Sequence, residues 1–104
     1  MVEQTEAFKK AVVDSKKLTS KPSNDHLLEM YALYKIGTGE DIKAAPAPGM
    51  FDIKGKAKAK AWQGKVDEDV TPELAQEQYV ALIDKCKIEY GYDENKSPEA
   101  VGSS

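Results

Sequence analysis

Apolar residues recur along this chain with the period of a helix. Phe8, Ala11, Val12, Ser15 and Leu18 fall at i, i+3, i+4, i+7 and i+10, one face of an amphipathic helix. Lys9, Lys10, Lys16 and Lys17 lie mostly off that face. Ser15 sets a small polar residue in the stripe, which predicts weaker packing there. Thr19-Ser20-Lys21-Pro22-Ser23 breaks the pattern. Ser23 or Asn24 then caps a second helix, with Asp25 placed favourably near its positive end. Leu27, Met30, Tyr31 and Tyr34 follow one side of that helix, and Leu28, Tyr31, Ala32 and Lys35 an adjoining side. So wide an apolar and aromatic arc can serve both a core and a ligand. Gly37-Thr38-Gly39 ends it.

The stretch from Glu40 to Pro48 shows no period and is expected to be an extended loop. Pro48-Gly49 predicts a turn. A lysine- and alanine-rich third helix is expected from about Asp52, its N-cap, to Gln63 or Lys65; Gly55 weakens it without defeating it. An acidic connector, Gly64 to Val70, leads to Thr71-Pro72-Glu73. That is a strong helix start: a capping Thr, Pro at the first helical position, then an acid. Ala75, Tyr79, Leu82, Ile83, Cys86 and Tyr90 form the longest clean stripe, and Gly91 stops it. No segment alternates like a strand, so the fold class is all-α. The expected organisation is one helical domain over residues 1–91 and a polar, aperiodic tail, 92–104, expected to be disordered.

Composition narrows the function. The chain has 104 residues, enough for one domain with a modest core. All 15 basic residues are lysine and the net charge is −3, which argues against nucleic acid as a partner. No apolar run approaches the roughly 18 residues of a membrane span. The acidic start lacks a signal-like apolar region, and the single cysteine, Cys86, suits a reducing compartment. A cytoplasmic protein is the expectation. Catalysis has little support. His26 stands in a helix's first turn with no nucleophile motif beside it, and Cys86 falls in an apolar stripe. Neither a zinc set nor a phosphate-binding glycine loop is present.

Two clusters carry chemistry. Lys54, Lys58 and Trp62 recur at i, i+4 and i+8, one helical face suited to an anion with an organic body; Lys56 and Lys60 fall on another. Tyr31, Tyr34 and Lys35 also share a helical neighbourhood. They read equally well as a core tyrosine pair with a solvent-reaching lysine, or as a ring and cation for a nucleotide.

Lys21-Pro22, Tyr31-x-x-Tyr34-Lys35 and the run from Pro48 through Gly49-Met50-Phe51-Asp52-Ile53-Lys54-Gly55-Lys56-Ala57-Lys58 together resemble the acyl-CoA-binding protein family, over residues 5–91. The resemblance implies an antiparallel four-helix bundle and a non-enzymatic, monomeric carrier of medium- to long-chain acyl-CoA, with no cofactor. Such a carrier makes transient contact with membranes or acyl-CoA-using enzymes. It also implies roles. Tyr31, Lys35 and Lys58 look like the group gripping the ribose 3′-phosphate and adenine of coenzyme A. Tyr34 and Tyr79 look like contacts around nucleotide and acyl chain, Lys54 like a further lysine of the same face, and Lys16 like one reaching the ligand from the first helix. The chain departs from the family where Ala59-Lys60-Ala61-Trp62 replaces a common Trp-Asp-Ala-Trp, and in its longer acidic connector. A rival reading from the lysines alone is a helical module docking an acidic protein or a membrane surface.

Overall fold

The computed structural model describes residues 3–45 and 47–95. Four helices form, each opened by a side chain that accepts a backbone N–H: α1 (Glu6–Ser15) by Thr5, α2 (Asn24–Gly37) by Ser23, α3 (Ile53–Asp67) by Asp52 and α4 (Pro72–Tyr90) by Thr71. The caps of α3 and α4 are the expected ones, and of the two candidates for α2 the cap is Ser23. Three boundaries differ. A single 3₁₀ turn, Ile42–Ala44, interrupts the supposedly extended loop, because the Asp41 carboxylate caps it by accepting from the Lys43 N–H. The tight turn lies one step beyond Pro48-Gly49: the Gly49 carbonyl accepts from the Asp52 N–H, with Met50 and Phe51 between. Helix α3 also runs through Gly64 to Asp67, claiming half the expected connector.

Helix α2 is the centre of the bundle, packed against both α3 and α4, while α1 lies along α4. Side-chain pairs give the directions. Tyr31 meets Trp62 and Glu29 pairs with Lys65, so α2 and α3 are antiparallel. Tyr34 meets Tyr79 and Ser23 meets Tyr90, so α2 and α4 are antiparallel too. Thr5 bonds Gln76 and Asp14 bonds Lys87, so α1 runs in the same direction as α4. The antiparallel relation therefore holds for α2 against its neighbours and not for α1 beside α4.

Phe8, Leu33, Ile83 and Cys86 are fully buried at the centre, with Ala11, Met30, Ile36, Trp62, Tyr79 and Leu82 around them. Leu18 is buried as well, although α1 has ended by then; it sits in an isolated antiparallel bridge with Tyr92. Ser15 is the small polar residue in the α1 stripe. It is buried, and its hydroxyl donates to the Val12 carbonyl.

Polar clasps tie the helices at their ends. Gln76, buried on α4, accepts from the Thr5 N–H and donates to the carbonyls of Glu3 and Gly37. Gly37 makes this approach possible, since a Cβ there would stand 3.1 Å from the Phe8 ring and 3.2 Å from Gln76. The Asp14 carboxylate is buried between the ammonium groups of Lys10 at 2.8 Å and Lys87 at 2.7 Å, and accepts from the Tyr92 hydroxyl at 2.9 Å. Burial opposes its charge, but these three donors outweigh burial and hold the carboxyl at about 2. The Asp93 N–H donates to the Lys17 carbonyl. Tyr92 and Asp93, the first two residues of the stretch expected to be a disordered tail, dock on α1 and the turn after it. Residues 96–104 lie outside the described part.

Candidate functional site

The sequence-predicted residues fall into three groups. Tyr31, Lys35 and Lys58 come together where α2 crosses α3. The Lys35 ammonium lies 5.5 Å from the centre of the Tyr31 ring and the Lys58 ammonium 5.4 Å from it. Both are within cation–π range. Trp62 completes the cluster, edge-on to Tyr31 at 6.2 Å, with Lys35 also 5.9 Å from its ring. Tyr31 is half-buried, so a face of the cluster meets solvent. Two ammonium groups drawn to one ring repel each other, and an anion between them relieves that repulsion. Lys35 has one carboxylate already, the side chain of Glu40 at 3.0 Å.

Tyr34 and Tyr79 form the second group, joined by Phe8. Phe8 stacks with Tyr34 at 6.2 Å and meets Tyr79 edge-on at 5.2 Å, and the two tyrosine rings are 6.4 Å apart. Tyr34 is 37% exposed and Tyr79 only 4%. Burial pushes the Tyr79 phenol up to about 12, so it stays protonated. Leu27 is half-buried on the same stripe of α2, at i, i+4 and i+7 with Tyr31 and Tyr34. Apolar surface therefore continues directly from the cation cluster.

The remaining two stand apart. Lys54 is exposed one turn before Lys58 on α3, and Lys16 is exposed at the C-cap of α1. Neither forms an ion pair with the groups above among the described residues. Lys56, placed on another face by the spacing, donates to the Met50 carbonyl at 2.6 Å. A cavity of about 450 Å³ lies on the next stripe of α2 and α3, lined by Leu28, Ala32, Ala57, Ala61 and Gly64 with a charged rim. It contains none of the seven predicted residues. Phe8 and Glu40 were not legible as site residues: Phe8 reads only as core, and Glu40 as the start of a loop.

The candidate reactive groups are otherwise engaged. His26 Nδ1 hydrogen-bonds the Tyr90 hydroxyl, and Cys86 is fully buried, its thiol pushed up by that burial. Among the described residues no group of acids, histidines and cysteine is placed to hold a metal ion, and no helix is long and apolar enough to cross a membrane.

An aromatic face with two converging cations, flanked by apolar side chains on a four-helix scaffold, defines a binding protein for an amphiphilic anion. Comparison gives the family. The model of the acyl-CoA-binding protein family matches residues 5–83. The chain is 45% identical over 87 residues to acyl-CoA-binding protein homolog 1 of Caenorhabditis elegans, covering 84% of this chain and 98% of that one. It is 40% identical over 86 residues to the acyl-CoA-binding protein homolog of Manduca sexta, covering 83% and 93%. The crystal structure of acyl-CoA-binding protein 2 of Oryza sativa superposes with a TM-score of 0.70 at 28% identity, over 88% of this chain and 97% of that one. The chain belongs to the acyl-CoA-binding protein family.

Proposed function

We propose that this protein binds medium- to long-chain acyl-CoA thioesters and carries them without chemical change. The observation that carries the reading is the convergence of Lys35 and Lys58 on the Tyr31 ring beside an apolar surface. Tyr31 stacks on the adenine, and the two lysines take the ribose 3′-phosphate in charge-assisted bonds. Lys54 and Lys16, exposed on long side chains, reach further phosphate oxygens. Leu27, Tyr34 and the edge of Tyr79 cover the acyl chain. Each buried methylene contributes about 0.8 kcal/mol, so partial burial of a long chain outweighs one exposed ion pair.

The working unit in this reading is a monomer in the cytoplasm, formed by the four helices through residue 91 together with the docked Tyr92 and Asp93. It meets membranes or acyl-CoA-using enzymes transiently. Met50, Phe51 and Ile53, each at least 77% exposed beside Lys54, support such encounters.

Calorimetry with palmitoyl-CoA, free CoA and palmitate tests the proposal. The expected order places the thioester far ahead of both fragments, because only it engages cations and apolar surface together. Equal affinity for palmitate and its CoA ester would show that the lysines do not read the nucleotide.

A further inference from the structure

We propose that Glu40 occupies Lys35 as a built-in stand-in for the ligand's phosphate, and so holds down the affinity of ligands that place a phosphate on Lys35. This inference rests on the acyl-CoA reading above. Helix α2 ends in a pair of backbone bonds: the Gly39 N–H donates to the Ile36 carbonyl, and the Glu40 N–H to the Lys35 carbonyl. That is the reversal a left-handed residue after a helix produces, and Gly39 supplies it with φ of 83°. The reversal lays Glu40 back over the last turn of its own helix. Its two carboxylate oxygens then reach the Lys35 ammonium at 3.0 and 3.3 Å, and the Thr38 hydroxyl, 3.4 Å from one of them, can donate either to it or to the Lys35 carbonyl at 3.0 Å.

The same ammonium stands over Tyr31 and Trp62, the aromatic floor of the candidate site. An anion approaching Lys35 therefore meets a carboxylate already there. Two anions on one ammonium repel, and Glu40, 47% exposed at its side chain, can swing into water at small cost. Which anion wins depends on charge. An incoming carboxylate gains from Lys35 only what Glu40 already gives, and Glu40 is tethered five residues away at high effective concentration. A phosphate brings more charge and more acceptor oxygens, and displaces it. Glu40 thus lowers affinity slightly for a ligand that displaces it from Lys35, and leaves a ligand that does not use Lys35 unaffected. The competing contact narrows the advantage of a ligand that carries this phosphate over one that lacks it.

Glu40→Gln keeps the backbone reversal and the reach to Thr38 but removes the charge. Calorimetry of wild type and variant with palmitoyl-CoA should show the variant binding about two- to fivefold more tightly, the worth of a partly exposed ion pair. With the palmitoyl ester of 3′-dephospho-CoA, which keeps the diphosphate but lacks the ribose 3′-phosphate assigned to Lys35, the two proteins should bind alike. In a Lys35→Ala background the gain from Glu40→Gln should vanish. Unchanged or weaker palmitoyl-CoA binding by Glu40→Gln overturns the proposal. So does an equal gain with the dephospho ester or without Lys35, which would make Glu40 a general charge effect. Failure of wild type itself to bind palmitoyl-CoA is a separate outcome: it overturns the acyl-CoA reading, and this one with it.

Discussion

Single side chains in this protein differ sharply in what they hold together. Lys58 reaches the Tyr31 ring from a half-buried position on α3, so its loss should act on the ligand more than on the fold. Lys58→Ala is expected to weaken palmitoyl-CoA by about 1.5–3 kcal/mol, the range for a charge-assisted bond, with little change in melting temperature. The two tyrosines that the family resemblance placed at the site should also separate. Tyr79 is buried against Phe8, and truncating a buried aromatic costs roughly 3–5 kcal/mol. Tyr31 is half-buried at the cation cluster. Urea melts without ligand should find Tyr79→Ala far less stable than Tyr31→Ala; equal destabilisation would make Tyr31 a core residue. Asp14 gives the fold an acid dependence of known sign. Its folded carboxyl, at about 2, lies below the ordinary 3.8, so its contribution is complete above about pH 4 and is lost as pH falls toward 2. The shift corresponds to about 2 kcal/mol, and Asp14→Asn should flatten the loss of stability between pH 4 and 2 in that proportion.

At the scale of the element, α3 depends on a detail that propensity alone misjudges. Gly55 looks like a weak point in a lysine–alanine helix, where alanine would ordinarily gain about 1 kcal/mol. Yet the Gly55 N–H donates the capping bond to the Asp52 carboxylate at 2.9 Å, and a Cβ at Gly55 would stand 2.3 Å from the other carboxylate oxygen. Alanine there must push the Asp52 side chain off its cap, a loss of about 0.5–2 kcal/mol. Gly55→Ala is therefore expected to leave the melting temperature unchanged or lower it. A clear rise would show that Asp52 can cap the helix from another rotamer. Helix α1, the shortest of the four, has its packing reinforced by contacts from elsewhere: Gln76 at its start, Lys87 and Tyr92 at its end.

Across the whole molecule, the last described residues act as a strap. Tyr92 pairs with Leu18, bonds Asp14, and lies 4.6 Å under the Lys87 ammonium; Asp93 bonds the Lys17 carbonyl. These contacts join α4 to the turn after α1 and close the bundle at the C-terminal end of α1. A chain ended at Gly91 should accordingly melt below a chain ended at Asn95, with palmitoyl-CoA affinity less affected than stability. Equal melting of the two would show that the strap contributes nothing to the fold.

Periodicity and capping chemistry are local, and they determined the helices: four stripes, the caps at Ser23, Asp52 and Thr71, the stop at Gly91. The order and spacing of Tyr31, Tyr34, Lys35 and the lysine run were likewise enough to carry the family resemblance. What no local rule specifies is which distant groups meet. Gln76, Asp14 and Tyr92 read as ordinary polar residues, because hydrogen bonds that span 39 to 78 positions leave no trace in spacing. The parallel course of α1 beside α4 is of the same kind. It follows from where Thr5, Asp14, Gln76 and Lys87 find partners. At the site, spacing could put Lys35 and Tyr31 on one helix face, but only the packing of α2 on α3 brought Lys58 to the same ring. Only the reversed backbone after Gly39 returned Glu40 to Lys35. Long side chains choose their partners after the helices have packed, and there the tertiary structure decided what the sequence left open.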